Sequence, residues 1–187
     1  MSAEEGLAVI SREVAECTKC PLHASRTRAV PGEGPPGARV MFIGEGPGFN
    51  EDREGRPFVG AAGQNLQGLL SLASLRREQV FITNIVKCRP PGNRRPAKSE
   101  ADTCYQYLRR QVELIDPEVV VLLGDTALKQ FFPDSSLGGL HGRPVSRSGR
   151  TFFPTYHPAS IIYNKSLKDV LEADFDALGK LLRAPPG

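Results

Sequence analysis

No stretch of this 187-residue chain approaches the roughly 18 consecutive apolar residues that a membrane span requires. The N-terminus also lacks a basic segment ahead of an apolar one. It is acidic and amphipathic, so no signal peptide is expected and the protein is read as cytoplasmic. No charge of one sign dominates: 24 Lys and Arg stand against 21 Asp and Glu, a net +3 that neither demands nor excludes nucleic acid. Cysteine is scarce, with only four in the chain. In a reducing compartment these are poor candidates for disulfides and better ones for metal ligands. Two nucleotide motifs are missing as well. The glycine-rich stretch Gly44, Glu45, Gly46, Pro47, Gly48 has Phe49 where a dinucleotide fingerprint needs its third glycine, and no Gly-Lys-Ser/Thr follows to make a P-loop. Repeats are absent, and the one biased tract is the Pro/Gly-rich end at residues 184–187, expected as a disordered tail.

What is present alternates between two periodicities. Leu7, Ile10 and Val14 mark an amphipathic opening helix. Residues 40–43 form a short, wholly apolar run of buried-strand type, ended by the glycine-rich turn. Helical spacing returns at residues 63–73. Residues 80–86 are rich in β-branched and aromatic side chains and read as a second strand. A helix is expected from a serine cap at Ser99 through Ile115, stopped by Asp116 and Pro117. Residues 119–123 are the clearest strand, followed by Gly124 and a helix opened by Asp125. Residues 152–156 make a fourth strand, interrupted by Pro154, and a last helix covers about 167–182.

This order predicts one domain, residues 1–183, folded as a three-layer α/β/α sandwich around a mostly parallel four-stranded sheet. Ligands in such folds bind at the carboxyl ends of the strands. The glycine-rich turn, Asn84, Gly124, Asp125 and His157 all stand there. Cys17 and Cys20 form a C-x-x-C pair, Cys88 follows the second strand, and Cys104 lies in the next helix. Four thiols suit a cluster or a tetrahedral zinc ion, and ligand type alone does not separate the two; buried inert cysteines are the bland alternative. Taken singly, His157 fits a packed histidine as well as a catalytic one, Asn84 a strand cap, and Phe58 a core residue. The basic stretches at residues 87–98 and 141–150 fit solvated loops as well as phosphate contacts.

In combination these residues resemble a known family, the thermostable, iron–sulfur-containing family four of the uracil-DNA glycosylases. The likeness runs from Cys17 to about Ser160. It includes the Gly44, Gly46 and Gly48 turn, Glu51 and Asp52, the Gly-Arg-Pro-Phe58-Val-Gly stretch, and Thr83-Asn84-Ile-Val-Lys-Cys88-Arg-Pro-Pro. Cys104 and His157-Pro-Ala complete it. Many members carry acidic residues where this chain has Phe49 and Asn50. A covalently DNA-trapping relative has an Arg-Arg-Ile-His loop that is absent here, so covalent capture is not expected.

The resemblance implies one [4Fe-4S] cluster on Cys17, Cys20, Cys88 and Cys104, with a structural role. It implies hydrolysis of the bond between deoxyribose C1′ and N1 of uracil, in single- or double-stranded uracil-containing DNA, by a monomer in a prokaryotic cytosol. His157 would donate to O2 of the departing base, with help from the glycine turn. Asn84 would pair with N3–H and O4, an arrangement that cytosine reverses. Phe58 would stack on the extruded base, Glu51 would stand against C5, and Glu45 would position water. Ile161, Ile162 and Tyr163 are candidates for a wedge into the emptied stack, or for the buried face of a short helix. Arg89, Asn93, Arg94, Arg95, Arg143 and Ser160 are the expected DNA contacts. Two rival readings are a base-flipping binding module without chemistry and a zinc-stabilised nucleoside hydrolase. A glycosylase preferring another damaged base, such as hypoxanthine, is a variant of the first reading.

Overall fold

A computed structural model describes residues 1–185; Pro186 and Gly187, the last two residues of the expected tail, lie outside the described residues. The core strands are β1 (Val40–Gly44), β2 (Phe81–Asn84), β3 (Val119–Leu123) and β5 (Arg150–Thr155), joined by a short edge strand β4 (Val145–Arg147). Their order in the sheet is β2-β1-β3-β5-β4, parallel throughout except for the β4–β5 pair. Every residue of β1, β2 and β3 is buried, as strands covered on both faces require.

The side chains alternate between two cores. Met41, Ile43, Val120, Leu122 and Phe152 face one layer of helices, made by α1 (Ala3–Glu16), α4 (Lys98–Ile115) and α5 (Asp125–Phe131). Val40, Phe42, Val121, Leu123 and Phe153 face the other, made by α3 (Ala61–Leu72) and α8 (Leu167–Arg183). The three-layer sandwich is therefore as expected. Short helices α2 (Phe49–Glu54), α6 (Leu137–Leu140) and α7 (Ser160–Tyr163) decorate the connections.

Three local expectations change. The sheet has five strands rather than four, because β4 is a three-residue edge strand with no apolar run to signal it; Ser148 and Gly149, both at positive φ, turn it back into β5. The second strand ends at Asn84, although Ile85 and Val86 still donate to the carbonyls of Gly44 and Glu45. Ser99 does not cap α4. The cap is Ala97, which has no side-chain acceptor; its own N–H donates to the buried carboxylate of Glu100 at 2.7 Å, the reciprocal half of a capping box. Pro154 is tolerated in β5 because β4 pairs only as far as Phe152. The Pro154 carbonyl accepts from Gly142 on that outer side, the side to which its missing N–H would point.

The chain runs from β1 to β2 on one side and then from β2 back to β3 on the other side of β1, which leaves a crevice above the carboxyl ends of these strands. The functional candidates gather in that crevice.

Candidate active site

A cleft of about 490 Å³ opens above β1 and β3, walled by Glu45, Phe49, Asn93, Asp125, His157 and Tyr163 among others. A smaller recess of about 40 Å³ leads off its floor and is lined by Gly46, Glu51, Phe58, Ala62, Asn84 and His157. Five residues expected around one base, Gly46, Glu51, Phe58, Asn84 and His157, thus line one recess, although they come from the glycine-rich turn, α2, the loop before α3, β2 and the loop after β5.

Asn84 ends β2 with its side chain buried, and its Oδ1 has no hydrogen-bond partner. It is the one such side-chain atom among the described residues. A buried unpaired acceptor costs about 1–3 kcal/mol, so its persistence in a recess points to a ligand donor. Gly44 makes room for this arrangement. A Cβ there would lie 2.5 Å from Asn84 Oδ1 and 2.8 Å from the Phe58 ring.

His157 has its Nδ1 occupied by the N–H of Ala159 at 3.0 Å. A backbone donor makes Nδ1 the acceptor, so the neutral ring carries its proton on Nε2. Burial pushes the pKa of His157 down to about 4, with the Glu51 carboxylate opposing the shift. The imidazole is therefore a neutral donor at ordinary pH. Its ring stacks against Phe58, centroids 5.4 Å apart.

Phe58 sits at φ +50, an uncommon conformation for an aromatic residue. Two features hold it there. Arg77 donates to the carbonyls of Pro57 and, at 2.7 Å, Phe58, while its charge pairs with Glu33. Gly63 allows the same loop to pass close, since a Cβ would lie 1.9 Å from the Phe58 carbonyl oxygen.

The carboxylate of Glu51 accepts from the N–H groups of Gly48 (3.0 Å), Val59 (2.8 Å) and Gly60 (2.8 Å). It ties the glycine-rich turn to the Phe58 loop. The Gly48 N–H is consequently spent on Glu51 rather than offered to a base. Asp52 is buried and accepts from Thr27 N–H at 2.8 Å, which anchors the segment after the first two cysteines. Glu45 lines the cleft and accepts from the Thr126 hydroxyl at 2.6 Å.

The expected DNA contacts separate into two groups. Arg94 forms a two-pronged ion pair with the buried carboxylate of Glu100, at 2.8 and 3.0 Å. Arg95 pairs with Asp125 at 2.7 Å and donates to Thr126. Arg143 donates to the carbonyl of Gly139, and Ser160 spends its hydroxyl on the His157 carbonyl at 2.6 Å. These side chains hold the scaffold. Arg89 donates to Asn93 at 2.7 Å and has no carboxylate partner among the described residues.

All four cysteines line one small cavity between α1 and α4, together with Arg26, Lys87 and Tyr107. Arg26 donates to Cys88 Sγ at 3.2 Å and to the Cys17 carbonyl at 2.7 Å. Burial raises the pKa of Cys88, with Arg26 opposing, and pushes Cys104 up to about 11, with the charge of Lys87 opposing. Thiols so placed need cations or a metal to be held as thiolates. Among the described residues, no three His, Cys, Asp or Glu side chains are grouped closely enough for a single metal ion.

Sequence reasoning missed Lys87. It is fully buried between the cysteine cavity and the recess, and donates to Thr83 Oγ1 (2.5 Å), the Asn84 carbonyl (2.9 Å) and Gln111 Oε1 (2.8 Å). Burial lowers its pKa to about 7. Arg77 and Thr126 were missed too. Their partners are two backbone carbonyls and Glu33 for Arg77 and the distant Glu45 for Thr126, contacts that no local pattern announces.

Comparison with known proteins is consistent with this geometry. Residues 31–178 match the model of the Uracil DNA glycosylase superfamily. A type-4 uracil-DNA glycosylase of Sulfurisphaera tokodaii is 46% identical, over 97% of this chain and 87% of that protein. That of Thermotoga maritima is 47% identical over 87% and 86%, and that of Archaeoglobus fulgidus 42% identical over 95% and 94%.

Proposed function

Because the chain belongs to the type-4 uracil-DNA glycosylases of the Uracil DNA glycosylase superfamily, we propose that it hydrolyses the N-glycosidic bond of deoxyuridine in DNA. Uracil is released and an abasic site remains. The observation that carries the reading is the buried, unpartnered Asn84 Oδ1 in the same recess as a neutral His157.

The chemistry follows from those two groups. As the C1′–N1 bond breaks, the electron pair goes to the base, and negative charge spreads onto uracil O2. The Nε2–H of His157 donates to that oxygen without having to give up a proton, which suits a ring that burial keeps neutral. Water adds its hydroxyl to C1′, and its proton ultimately neutralises the base. Glu45, oriented by Thr126, is the group placed to hold that water. Asn84 Oδ1 accepts from N3–H, and its amide NH₂ donates to O4. Cytosine presents an acceptor at N3 and a donor at N4, so it would leave the buried amide mismatched. Glu51, locked by three N–H groups, forms a rigid wall of the recess on the side assigned to C5.

The target nucleotide must leave the base stack to reach the recess. Tyr163, 88% exposed on α7, and its neighbour Ile162 supply the wedge; Ile161 packs into the core instead. Single- and double-stranded DNA are both accommodated by this scheme, with the protein acting as a monomer in a prokaryotic cytosol. No helix among the described residues is long and apolar enough to cross a membrane.

The donor set of the cysteine cavity fits a [4Fe-4S] cluster: four thiols, with Arg26 and Lys87 nearby to offset thiolate charge. Such a cluster supplies a cross-link between the N-terminal segment, α4 and the loop after β2. It takes no part in the hydrolysis. Visible absorbance and iron content of the purified protein test this assignment.

The function itself is tested by incubation with a uracil-containing oligonucleotide followed by alkaline cleavage. Strand breaks at the uracil position are expected, and their absence would overturn the proposal.

A further inference from the structure

Phe49 is the first residue of α2. Its ring is 57% exposed on the wall of the cleft, where apolar burial gives it no reason to be. Two guanidinium groups do give one. Arg53, one turn further along α2, lies 5.8 Å from the ring centroid, and Arg89 lies 5.4 Å from it. Both are within cation–π reach.

Arg89 is fixed a second time through Asn93. Among the described residues, neither Arg53 nor Arg89 has a carboxylate partner, whereas Arg94 and Arg95 are both neutralised by one. A guanidinium stacked on a ring keeps its in-plane N–H donors directed outward, where they match phosphate oxygens. An acidic side chain at position 49 would capture the same two cations and cancel them.

We propose that Phe49, which lines the cleft, and Arg53 and Arg89, held beside its ring, form a phosphate clamp at the edge of the cleft that grips the DNA backbone beside the extruded nucleotide. Arg53 and Arg89 make the contacts, and Phe49 is a positioning residue that holds both guanidiniums in place. The clamp rests on the reading of the cleft as the DNA-binding surface.

The test is fluorescence anisotropy of the full-length protein with a labelled single-stranded oligonucleotide carrying thymidine in place of deoxyuridine, titrated over a range of KCl. Each phosphate contact contributes about 0.7 to the slope of log K against log salt on a single strand. Arg53→Ala and Arg89→Ala should each flatten the slope by about that amount. Phe49→Ala removes no charge, yet it should also flatten the slope and weaken low-salt binding by about 5- to 10-fold; Phe49→Tyr should restore both. Lys180→Ala, at the far end of α8, is the control and should leave the slope alone. Unchanged melting temperatures would exclude a folding artefact. A wild-type slope in Phe49→Ala would overturn the positioning role, and a wild-type slope in Arg53→Ala would remove that contact. A wild-type protein whose binding ignores salt would overturn the cleft reading and the clamp together.

Discussion

Two buried regions flank the segment from Asn84 to Cys88, and they are incomplete in different ways. The recess offers one unpaired acceptor and one neutral donor, in a shape held from behind by Glu51, Arg77 and Gly44. The cysteine cavity offers four thiols whose burial disfavours the charged form, with cations from Arg26 and Lys87 at its edge. A transient guest fits the recess, since one orphaned acceptor is a tolerable standing cost. The cluster proposed for the cavity would be a permanent one. Lys87 stands between them and bonds to the carbonyl of Asn84 while its charge favours the Cys104 thiolate.

The largest expected effect breaks the cavity and spares the recess. Cys88→Ser should lose visible absorbance and iron, and destabilise the protein by at least about 4 kcal/mol, the range reserved for loss of a metal site or a comparable core defect. DNA affinity should fall with it, because Cys88 adjoins Arg89. Chemical denaturation and iron assay decide the point. A variant that stayed folded with wild-type activity would show the cavity to be dispensable.

The converse substitution breaks the recess and spares the cavity. His157→Gln should lower the excision rate of bound DNA by about 10²- to 10³-fold, the usual consequence of losing one donor to a developing oxyanion. Iron content should be unchanged. Single-turnover kinetics separate this from weaker binding, and a loss confined to binding would remove His157 from the chemistry.

Lys87→Met tests the link between the two regions. It leaves Thr83 Oγ1, the Asn84 carbonyl and Gln111 Oε1 without their shared donor, while the methionine fills most of the space. A loss of about 2–3 kcal/mol is expected from urea denaturation, given about 1–3 kcal/mol for each acceptor left unpaired and partial rearrangement among the three. A neutral outcome would mean that Gln111 and Thr83 find other partners.

The same contrast explains what could be read from the sequence. The sheet, its layers and its parallel order follow from runs such as residues 119–123, whose burial needs no context beyond their own composition. The strand-end rule brought Asn84 and His157 to one crevice, and spacing brought the cysteines to one cavity. The basic loop has partners that its own letters do not show. Arg94 and Arg95 look like free charge in a string of letters, but Glu100 reaches back from α4 and Asp125 comes from beyond β3 to neutralise them. Arg53 carried no signal at all, because its significance depends on a ring four residues away and on a loop that follows another strand. Lys87 was hidden for a similar reason: a lysine beside an apolar run reads as a strand end pointing to water, and the acceptors that let it be buried include Gln111 on the distant α4.

The last prediction concerns acid. An imidazole held at a pKa of about 4 in the folded protein returns to about 6.5 in the unfolded chain. Between those two values the unfolded chain takes up a proton that the folded protein refuses, so stability falls as pH drops through that window. Below about 4 both states are protonated, and this contribution stops changing. His157→Gln has no such group. The difference in unfolding free energy between wild type and variant should therefore shift steadily against the wild type from pH 6.5 down to pH 4, and stay constant above and below. Carboxylates titrate in the same range, but those that do not face His157 are common to both proteins and cancel in the difference; Glu51, which acts on the ring, does not. Parallel stability curves would mean that the ring charges freely in the fold, and a neutral Nε2 donor could then no longer be assigned to the recess.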